Sequence, residues 1–238
     1  MVQTQGYDVV ADRLKALGRR DELFVVGLTG SVASGKTTLA KGLAAALEPI
    51  DVAHVTTDGF LFPNAVLKAR DQMLRKGFPE TYDRATMAAA IEALRAGPAE
   101  FPVYDHVTYD VHPTETRRLD QPDMLILEGL GLRSDPATHR GGGAPDLLIY
   151  LDALEADIET WFLERFLRFW RAAETDPSSF YAQWLHMSEN EITEFARGVW
   201  ANINLPNLQD HIAPIRAEAD LVLRKHADHS VRIVEDRL

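Results

Sequence analysis

The chain has 238 residues, no cysteine, and 25 Lys and Arg against 36 Asp and Glu, a formal net charge of −11. This length indicates one large domain or two small ones, and the absent cysteines exclude disulfides, thiolate nucleophiles and Cys-ligated metals. The excess of acidic residues argues against a nucleic-acid partner. The sequence shows neither an apolar run of membrane-helix length nor a signal peptide, and we therefore expect a cytoplasmic protein.

Apolar strands and helical patterns alternate from the start of the chain. Apolar residues at helical spacing predict a short amphipathic helix over 7–18, and a β-branched run predicts a buried strand over 23–28. A helix rich in Ala and Leu over 37–47 and a second strand over 52–57 follow. This order, strand then helix then strand, is typical of a parallel sheet.

The middle of the chain is less regular. Proline, glycine and basic residues over 62–82 predict an irregular segment with a short helix, and 84–97 is predicted helical with Gly97 at its C-terminal cap. Alternation over 103–111 indicates a hairpin-like or extended stretch. The remaining predicted elements are a strand over 123–132, a loop over 139–146, a strand over 147–153, helices over 156–174 and 188–202, and a strand over 220–225. Together they predict an α/β fold with a parallel sheet covered by helices on both faces.

The most specific motif follows the first strand and opens a helix. It fits G-x-x-x-x-G-K-[ST] and consists of Gly30, Ser31, Val32, Ala33, Ser34, Gly35, Lys36 and Thr37. Such a loop turns successive backbone N–H groups toward phosphate oxygens, so it predicts binding of ATP. Lys36 would reach the β- and γ-phosphates, and Thr37 would offer a hydroxyl to Mg²⁺. The alternative is an ordinary glycine-rich turn between strand and helix.

Two acidic residues directly follow predicted strands. Asp58 comes after the second strand and Glu128 ends the third, and ligands bind outside the carboxyl ends of strands in such sheets. Asp58 is therefore a candidate base for an acceptor hydroxyl, or a Mg²⁺ ligand through water, and Glu128 is a candidate metal residue. The alternatives are a turn or cap role for Asp58 and a solvated strand end for Glu128.

Eight segments, in order along the chain from about residue 20 to the end, resemble the type I (bacterial, P-loop) pantothenate kinases. They are GSVASGKTT (30–38), TTDGFLFPNAVLKARDQMLRKGFPETYD (56–83), PVYDHVTYDV (102–111), QPDMLILEGL (121–130), TWFLERFLRF (160–169), TDPSSFY (175–181), WANINLPNLQDHIAPIR (200–216) and ADLVLRKHADHSV (219–231). The second of these is long and unusual, and it is the most specific match.

This resemblance implies a single P-loop kinase domain over 1–238 that phosphorylates pantothenate to 4′-phosphopantothenate with ATP and Mg²⁺, the first step of coenzyme A biosynthesis. Acceptor-site and lid segments are expected at about 58–110 and 156–210. The family likeness also implies a homodimer and feedback inhibition by coenzyme A, for which Lys41 and Lys76 occupy the corresponding basic positions.

The resemblance assigns roles to individual residues. Asp58 matches the candidate base, Lys36 and Thr37 match the phosphate and Mg²⁺ ligands, and Arg165 matches a lid arginine that stabilises the transferring phosphoryl group. The nucleotide-binding set further includes Thr38 and, beside the adenine, Lys225 and His229. The acceptor-binding set comprises Asp58 with Tyr104, His106, Tyr109 and Asn204, and an aromatic wall of Phe166, Phe169 and Tyr181.

Other interpretations remain open at this point. Phe166 and Phe169 also fit a core stripe at helical spacing, and His106, His229, Lys41 and Lys76 also fit structural or solvated positions. The segment before the phosphate-loop strand is shorter than is usual in the family, and Phe162 stands where the family usually has a tyrosine. A related P-loop kinase for a nucleoside, sugar or glycerate is therefore an alternative. A slow nucleotide-hydrolysing switch protein is another.

Overall fold

Eight strands and six helices of six or more residues are described in the computed structural model, which covers residues 4–18, 22–130, 132 and 143–238. The strands are β1 (Phe24–Gly30), β2 (Val52–Thr56), β3 (Ala99–Asp105), β4 (Asp110–Leu119), β5 (Met124–Gly129), β6 (Leu147–Asp152), β7 (Leu221–Lys225) and β8 (Val231–Asp236). The helices are α1 (Thr4–Leu17), α2 (Lys36–Ala46), α3 (Asn64–Ala69), α4 (Arg84–Ala96), α5 (Glu155–Ala172) and α6 (Glu189–Val199).

A six-stranded sheet in the order β2-β5-β1-β6-β7-β8 forms the centre of the fold. The first five strands are parallel, and β8 pairs with β7 in the antiparallel direction. The carboxyl ends of β1, β2 and β5 therefore lie side by side, and the segments that follow those strands meet at one edge of the sheet.

Alternate residues of the strands feed two separate apolar cores. On one face, Val26 and Leu28 pack with residues of α1 and α2. On the other face, Val25 packs with residues of α4, α5 and α6. Nearly every side chain of β1, β5 and β6 is buried, which explains their continuous apolar runs. The predicted α/β fold, with helices on both faces of a parallel sheet, is confirmed.

The predicted strands and helices that lie among the described residues are present, with shifted ends. Gly97 is the C-cap of α4, as predicted, and a capping box of Ser188 and Glu191 begins α6. Within the described ranges, no helix is both long enough and apolar enough to cross a membrane.

Three parts of the chain differ from the prediction. The stretch 103–111 is the closed end of a longer hairpin, β3–β4, which forms a sheet of its own. The chain stays helical beyond α6, because two π-helical turns and a 3₁₀ turn carry it to Ala217. The antiparallel strand β8 was not predicted, and the predicted loop at 139–146 lies partly outside the described residues.

Candidate active site

The loop between β1 and α2 has the backbone geometry of a phosphate cradle. Gly30 and Gly35 have φ angles of 144° and 94°, in the region that glycine adopts without strain. A Cβ on Gly30 would also lie 2.5 Å from the carbonyl oxygen of Leu151. The loop therefore requires glycine at both motif positions, and its N–H groups are arranged at the start of α2, where anions bind.

Lys36 is held under this loop. Its Nζ donates hydrogen bonds to the carbonyl oxygens of Gly30, at 3.1 Å, and Ser31, at 2.7 Å. Burial lowers the pKa of Lys36, while the carboxylates of Glu128 and Asp58 oppose that shift. The buried Ser31 hydroxyl has no hydrogen-bond partner among the described residues. A cation and an unpaired donor in a backbone cradle fit the phosphates of a nucleotide.

Thr37 and Glu128 provide the oxygens that suit Mg²⁺. The Thr37 hydroxyl donates to Glu128 Oε1 at 2.6 Å. Burial raises the pKa of Glu128, but His54, the Lys36 charge and the Thr37 hydroxyl outweigh it, so the net shift is downward. In the described part of the chain no three His, Asp or Glu converge on one point. One carboxylate with a hydroxyl still fits Mg²⁺, which keeps waters and binds substrate phosphates.

Asp58 lies in the short turn Thr57–Phe60 that follows β2. Thr56 caps this turn, accepting a hydrogen bond from the Asp58 N–H at 3.3 Å, so the Asp58 carboxylate is not the cap. Burial and the neighbouring Glu128 charge raise the pKa of Asp58, while His106, Lys36 and Arg165 lower it. Charged groups of the phosphate loop, the hairpin and α5 therefore all act on the Asp58 carboxylate. Its pKa is above that of an ordinary aspartate.

Aromatic rings from the hairpin, from α5 and from the turn Phe180–Trp184 pack together near Asp58. The ring of Tyr104 lies 5.1 Å from that of His106 and 6.1 Å from that of Tyr109, centroid to centroid. His106 stacks on Phe169 at 6.4 Å, and Phe169 stacks on Tyr181 at 5.4 Å. The hairpin, α5 and the turn Phe180–Trp184 thus meet through rings, and this contact brings five predicted acceptor-site residues together.

Arg165, the predicted lid arginine, lies on the same ring surface. The guanidinium carbon of Arg165 is 5.4 Å from the centroid of Phe169. Its charge acts on both Asp58 and Lys36, lowering the pKa of each. Arg165 is thus close enough to influence both the phosphate-loop lysine and Asp58.

Phe166 and Asn204, two further predicted acceptor-site residues, are engaged in packing or hydrogen bonding within the protein. Phe166 is buried in the core, with its ring 6.0 Å from Phe162 and 5.2 Å from Tyr181, so it packs in the way the core-stripe interpretation predicts. Phe162 is also buried, 5.7 Å from Trp200. Asn204 ends a π-helical turn, and its amide donates to the Val199 carbonyl at 3.4 Å.

Lys76 belongs to the acceptor side of the cleft, a location that the sequence did not predict. Its Nζ donates to Asn64 Oδ1, at 2.6 Å, and to the Tyr109 carbonyl, at 2.5 Å. It also lies 4.4 Å from the Tyr109 ring and 5.0 Å from the Tyr104 ring. Burial lowers the pKa of Lys76 to about 8. The fully solvated alternative for Lys76 is wrong, whereas Lys41 is exposed on α2.

Lys225, at the end of β7, contacts the phosphate loop, and it shares an aromatic neighbour with His229. Lys225 Nζ donates to the Ser34 carbonyl at 2.9 Å and lies 3.9 Å from the ring centroid of Trp161. The His229 ring lies 5.3 Å from the same tryptophan, and burial lowers the pKa of Lys225. Lys225 therefore links the loop to Trp161, and His229 lies against the same tryptophan.

Comparisons with known proteins agree with this geometry. Residues 25–168 match the model of the Phosphoribulokinase / Uridine kinase family. A pantothenate kinase of Sorangium cellulosum is 44% identical, covering 94% of this chain and 75% of that protein. A pantothenate kinase of Cutibacterium acnes is 42% identical, covering 91% and 70%. A crystal structure from Silicibacter sp. TM1040, described as that of a fructose transport system kinase, has a TM-score of 0.73 at 24% identity, covering 92% and 98%.

The sheet order, the phosphate loop and the family match define a kinase of the P-loop class. Within that class, the identities over most of the chain decide the narrower assignment. The chain belongs to the pantothenate kinase family.

Proposed function

We propose that this protein transfers the γ-phosphoryl group of ATP to the primary hydroxyl of pantothenate, giving 4′-phosphopantothenate and ADP. The identity to named pantothenate kinases supports the acceptor. The observation that carries the mechanism is the place of Asp58 in the turn after β2, where its partly buried carboxylate has a raised pKa and feels the charges of Lys36 of the phosphate loop and His106 of the hairpin.

The nucleotide is held by the loop Gly30–Thr37 and its neighbours. Backbone N–H groups, Lys36 and the Ser31 hydroxyl face the phosphates, and Thr38 extends this set into α2. Lys225 and His229 stand beside Trp161, where a planar base can pack. Bound at Thr37 and Glu128, Mg²⁺ supplies positive charge to the β- and γ-phosphates.

Asp58 accepts the proton of the acceptor hydroxyl. As that oxygen forms its bond to the γ-phosphorus, the bond from phosphorus to the β–γ bridging oxygen breaks and ADP leaves. A raised pKa suits a general base that must take up a proton near neutral pH. Lys36 and Arg165 stabilise the charge on the transferring group, which carries most of the catalysis in such reactions.

The acceptor side matches the chemistry of pantothenate. Its carboxylate is an anion, and Lys76 is a half-buried cation at this end of the cleft. Tyr104, His106, Tyr109 and Asn204 offer polar groups to its hydroxyls and amide. Phe169 and Tyr181 face its gem-dimethyl group, and Phe166 supports Tyr181 from the core. Such a mixture of apolar walls and a few placed polar groups is usual for a small-molecule site.

An ADP-release assay with a panel of acceptors tests this function. Purified protein with MgATP should release ADP when pantothenate is added, and much less with uridine, a sugar or glycerate. Phe162 in place of a tyrosine is the observation that favours a different acceptor, and equal turnover of any of those compounds would establish that alternative. Tight nucleotide binding without turnover of any acceptor would instead favour a nucleotide-dependent switch protein.

The family likeness alone supports four further proposals. The chain forms one kinase domain over 1–238, acts in the cytoplasm and assembles as a homodimer. Coenzyme A inhibits it through basic residues that include Lys41 and Lys76. Gel filtration with light scattering tests the assembly, and inhibition curves with coenzyme A against ATP test the feedback.

A further inference from the structure

His54 is a polar residue within the otherwise apolar strand β2, and it faces the metal side of the site. In the parallel pairing of β2 with β5, His54 lies opposite Ile126 and Thr56 opposite Glu128. His54 is therefore the diagonal neighbour of Glu128 on the same face of the sheet, a position within reach of a long side chain. Its Nε2 lies 3.7 Å from Glu128 Oε1.

The His54 ring has little else to interact with. Its Nε2 is buried and has no hydrogen-bond partner among the described residues. A buried polar atom left without a hydrogen-bond partner is unfavourable, because it has lost its bonds to water. The unpaired Nε2 of His54 therefore points to an interaction with the Glu128 carboxylate, which it faces.

The backbone of His54 is fixed from the opposite side. Arg117 of β4 donates from Nη1 to the His54 carbonyl at 2.7 Å. This bond ties the strand to the β3–β4 hairpin, whose far end carries acceptor-site residues. The ring thus projects from a held backbone toward Glu128.

We propose that His54 is a positioning residue for Glu128 and, through it, for the Mg²⁺–nucleotide site. The Thr37 hydroxyl and the His54 ring both approach Oε1, so neither contact uses Oε2. At 3.7 Å the histidine contact is longer than a hydrogen bond, and a shift of about half an ångström closes it. Partners of this kind, behind a metal-binding carboxylate, change metal affinity about 10–100-fold when they are removed.

This inference rests on the nucleotide half of the proposed function and not on the acceptor. Its test therefore measures binding in the absence of any acceptor. The affinity for ATP is titrated by calorimetry with and without Mg²⁺ for the wild type, His54→Leu and His54→Gln. Leucine fills the space without a donor, and glutamine restores an N–H at the end of a side chain of similar length.

We expect His54→Leu to raise the Mg²⁺ concentration needed for half-maximal ATP binding about tenfold, with Mg²⁺-free binding unchanged. His54→Gln should recover most of that loss. Val52→Ala is the matched control, because it removes packing from the same face of β2 without approaching Glu128, and it should leave the Mg²⁺ requirement unchanged. Should His54→Leu not fold, His54→Met, which also lacks a donor, replaces it.

Two results would overturn the proposal. One is a folded His54→Leu or His54→Met protein with a wild-type Mg²⁺ requirement. The other is an equal loss in the glutamine, leucine and alanine variants, which would assign the effect to packing. A wild-type protein that binds ATP but does not phosphorylate pantothenate would contradict the acceptor assignment. The inference about His54 would still stand.

Discussion

Charged residues from several segments act on Asp58. Substituting this residue therefore tests the proposed mechanism most directly. We expect Asp58→Asn to keep ATP affinity and to lower kcat about 10²–10⁴-fold, because the positioned base is lost. Steady-state kinetics with pantothenate, together with calorimetric ATP titration, measure both quantities. Asp83→Asn is the matched control, since Asp83 caps α4 and asparagine caps equally well. A kcat near that of the wild type in Asp58→Asn would exclude the base role.

Lys76 predicts a pH dependence with a definite sign. Its pKa of about 8 lies below the usual value because burial disfavours the charged form. The ammonium is therefore present below pH 8 and lost above it, so kcat/KM for pantothenate should fall as the pH rises through about 8. Initial rates at low pantothenate across pH 6.5–9.5 measure this profile.

Two substitutions separate Lys76 from other ionising groups. Lys76→Arg keeps a cation at all these pH values and should shift the falling limb to higher pH. Lys76→Met should raise the KM for pantothenate at pH 7 while ATP affinity stays constant. An unchanged profile in both variants would assign the limb to another residue.

The sequence allowed the placement of some site residues to be predicted and not others. The loop and its neighbours Asp58 and Glu128 follow from local rules, because the carboxyl ends of adjacent parallel strands meet. Lys76 is bonded to the carbonyl of Tyr109, 33 residues away, so its location depends on where the hairpin folds. The roles of all these residues stay predictions until the substitutions above are made.

At the scale of elements, the helical run after α6 is joined to the loop that carries Lys76. Asn207 is buried within this run, and its Nδ2 donates to the Gly77 carbonyl at 3.0 Å. Asn207→Ala should lower the free energy of unfolding by about 1–2 kcal/mol, since it leaves that carbonyl unpaired. It should also raise the KM for pantothenate, because the Lys76 loop is no longer anchored.

The control for Asn207 is in the same helical run. Asn202 is exposed, and its amide donates to the Gly198 carbonyl within the helix. Asn202→Ala should change neither stability nor KM measurably. Chemical denaturation measures the free energy of unfolding of the two alanine variants, and steady-state kinetics measure their KM for pantothenate. Equal effects in both variants would show that the bond from Asn207 to Gly77 does not anchor the Lys76 loop.

The elements that could be predicted are those whose residues carry a one-sided or fully buried pattern. The strands β1, β5 and β6 are apolar over most of their length because helices cover both faces, and their polar residues stand near the carboxyl ends. Strand β8 alternates partly buried with exposed residues and includes three charged residues, Arg232, Glu235 and Asp236. A charged edge strand of this kind resembles a surface loop in sequence. The π-helical turns likewise have no sequence signature.

At the scale of the whole molecule, the net charge of −11 gives little indication of how the protein meets an anionic nucleotide. A few cationic side chains at fixed positions attract the nucleotide, and the backbone N–H groups of the phosphate loop add further positive potential. ATP with Mg²⁺ at about 100 times its dissociation constant should add about 2.7 kcal/mol of stability. For a chain of this size that raises the melting temperature by roughly 5–10 °C.

Thermal melts with and without MgATP measure this shift. Lys36→Ala should abolish most of it, since the phosphate-binding cation is lost. Lys15→Ala, a change on the outer side of α1, should retain it. An equal shift in both variants would mean that the stabilisation comes from binding elsewhere.

The division of the apolar interior into two faces also gives the protein a built-in optical reporter. All four tryptophans, Trp161, Trp170, Trp184 and Trp200, lie on the face covered by α4, α5 and α6, and the α1–α2 face has none. Intrinsic emission therefore reports on only one half of the molecule, the half that contains α5 and α6. Trp161 contacts Lys225, which in turn bonds to Ser34 of the phosphate loop, so its quenching would follow nucleotide occupancy without any attached dye.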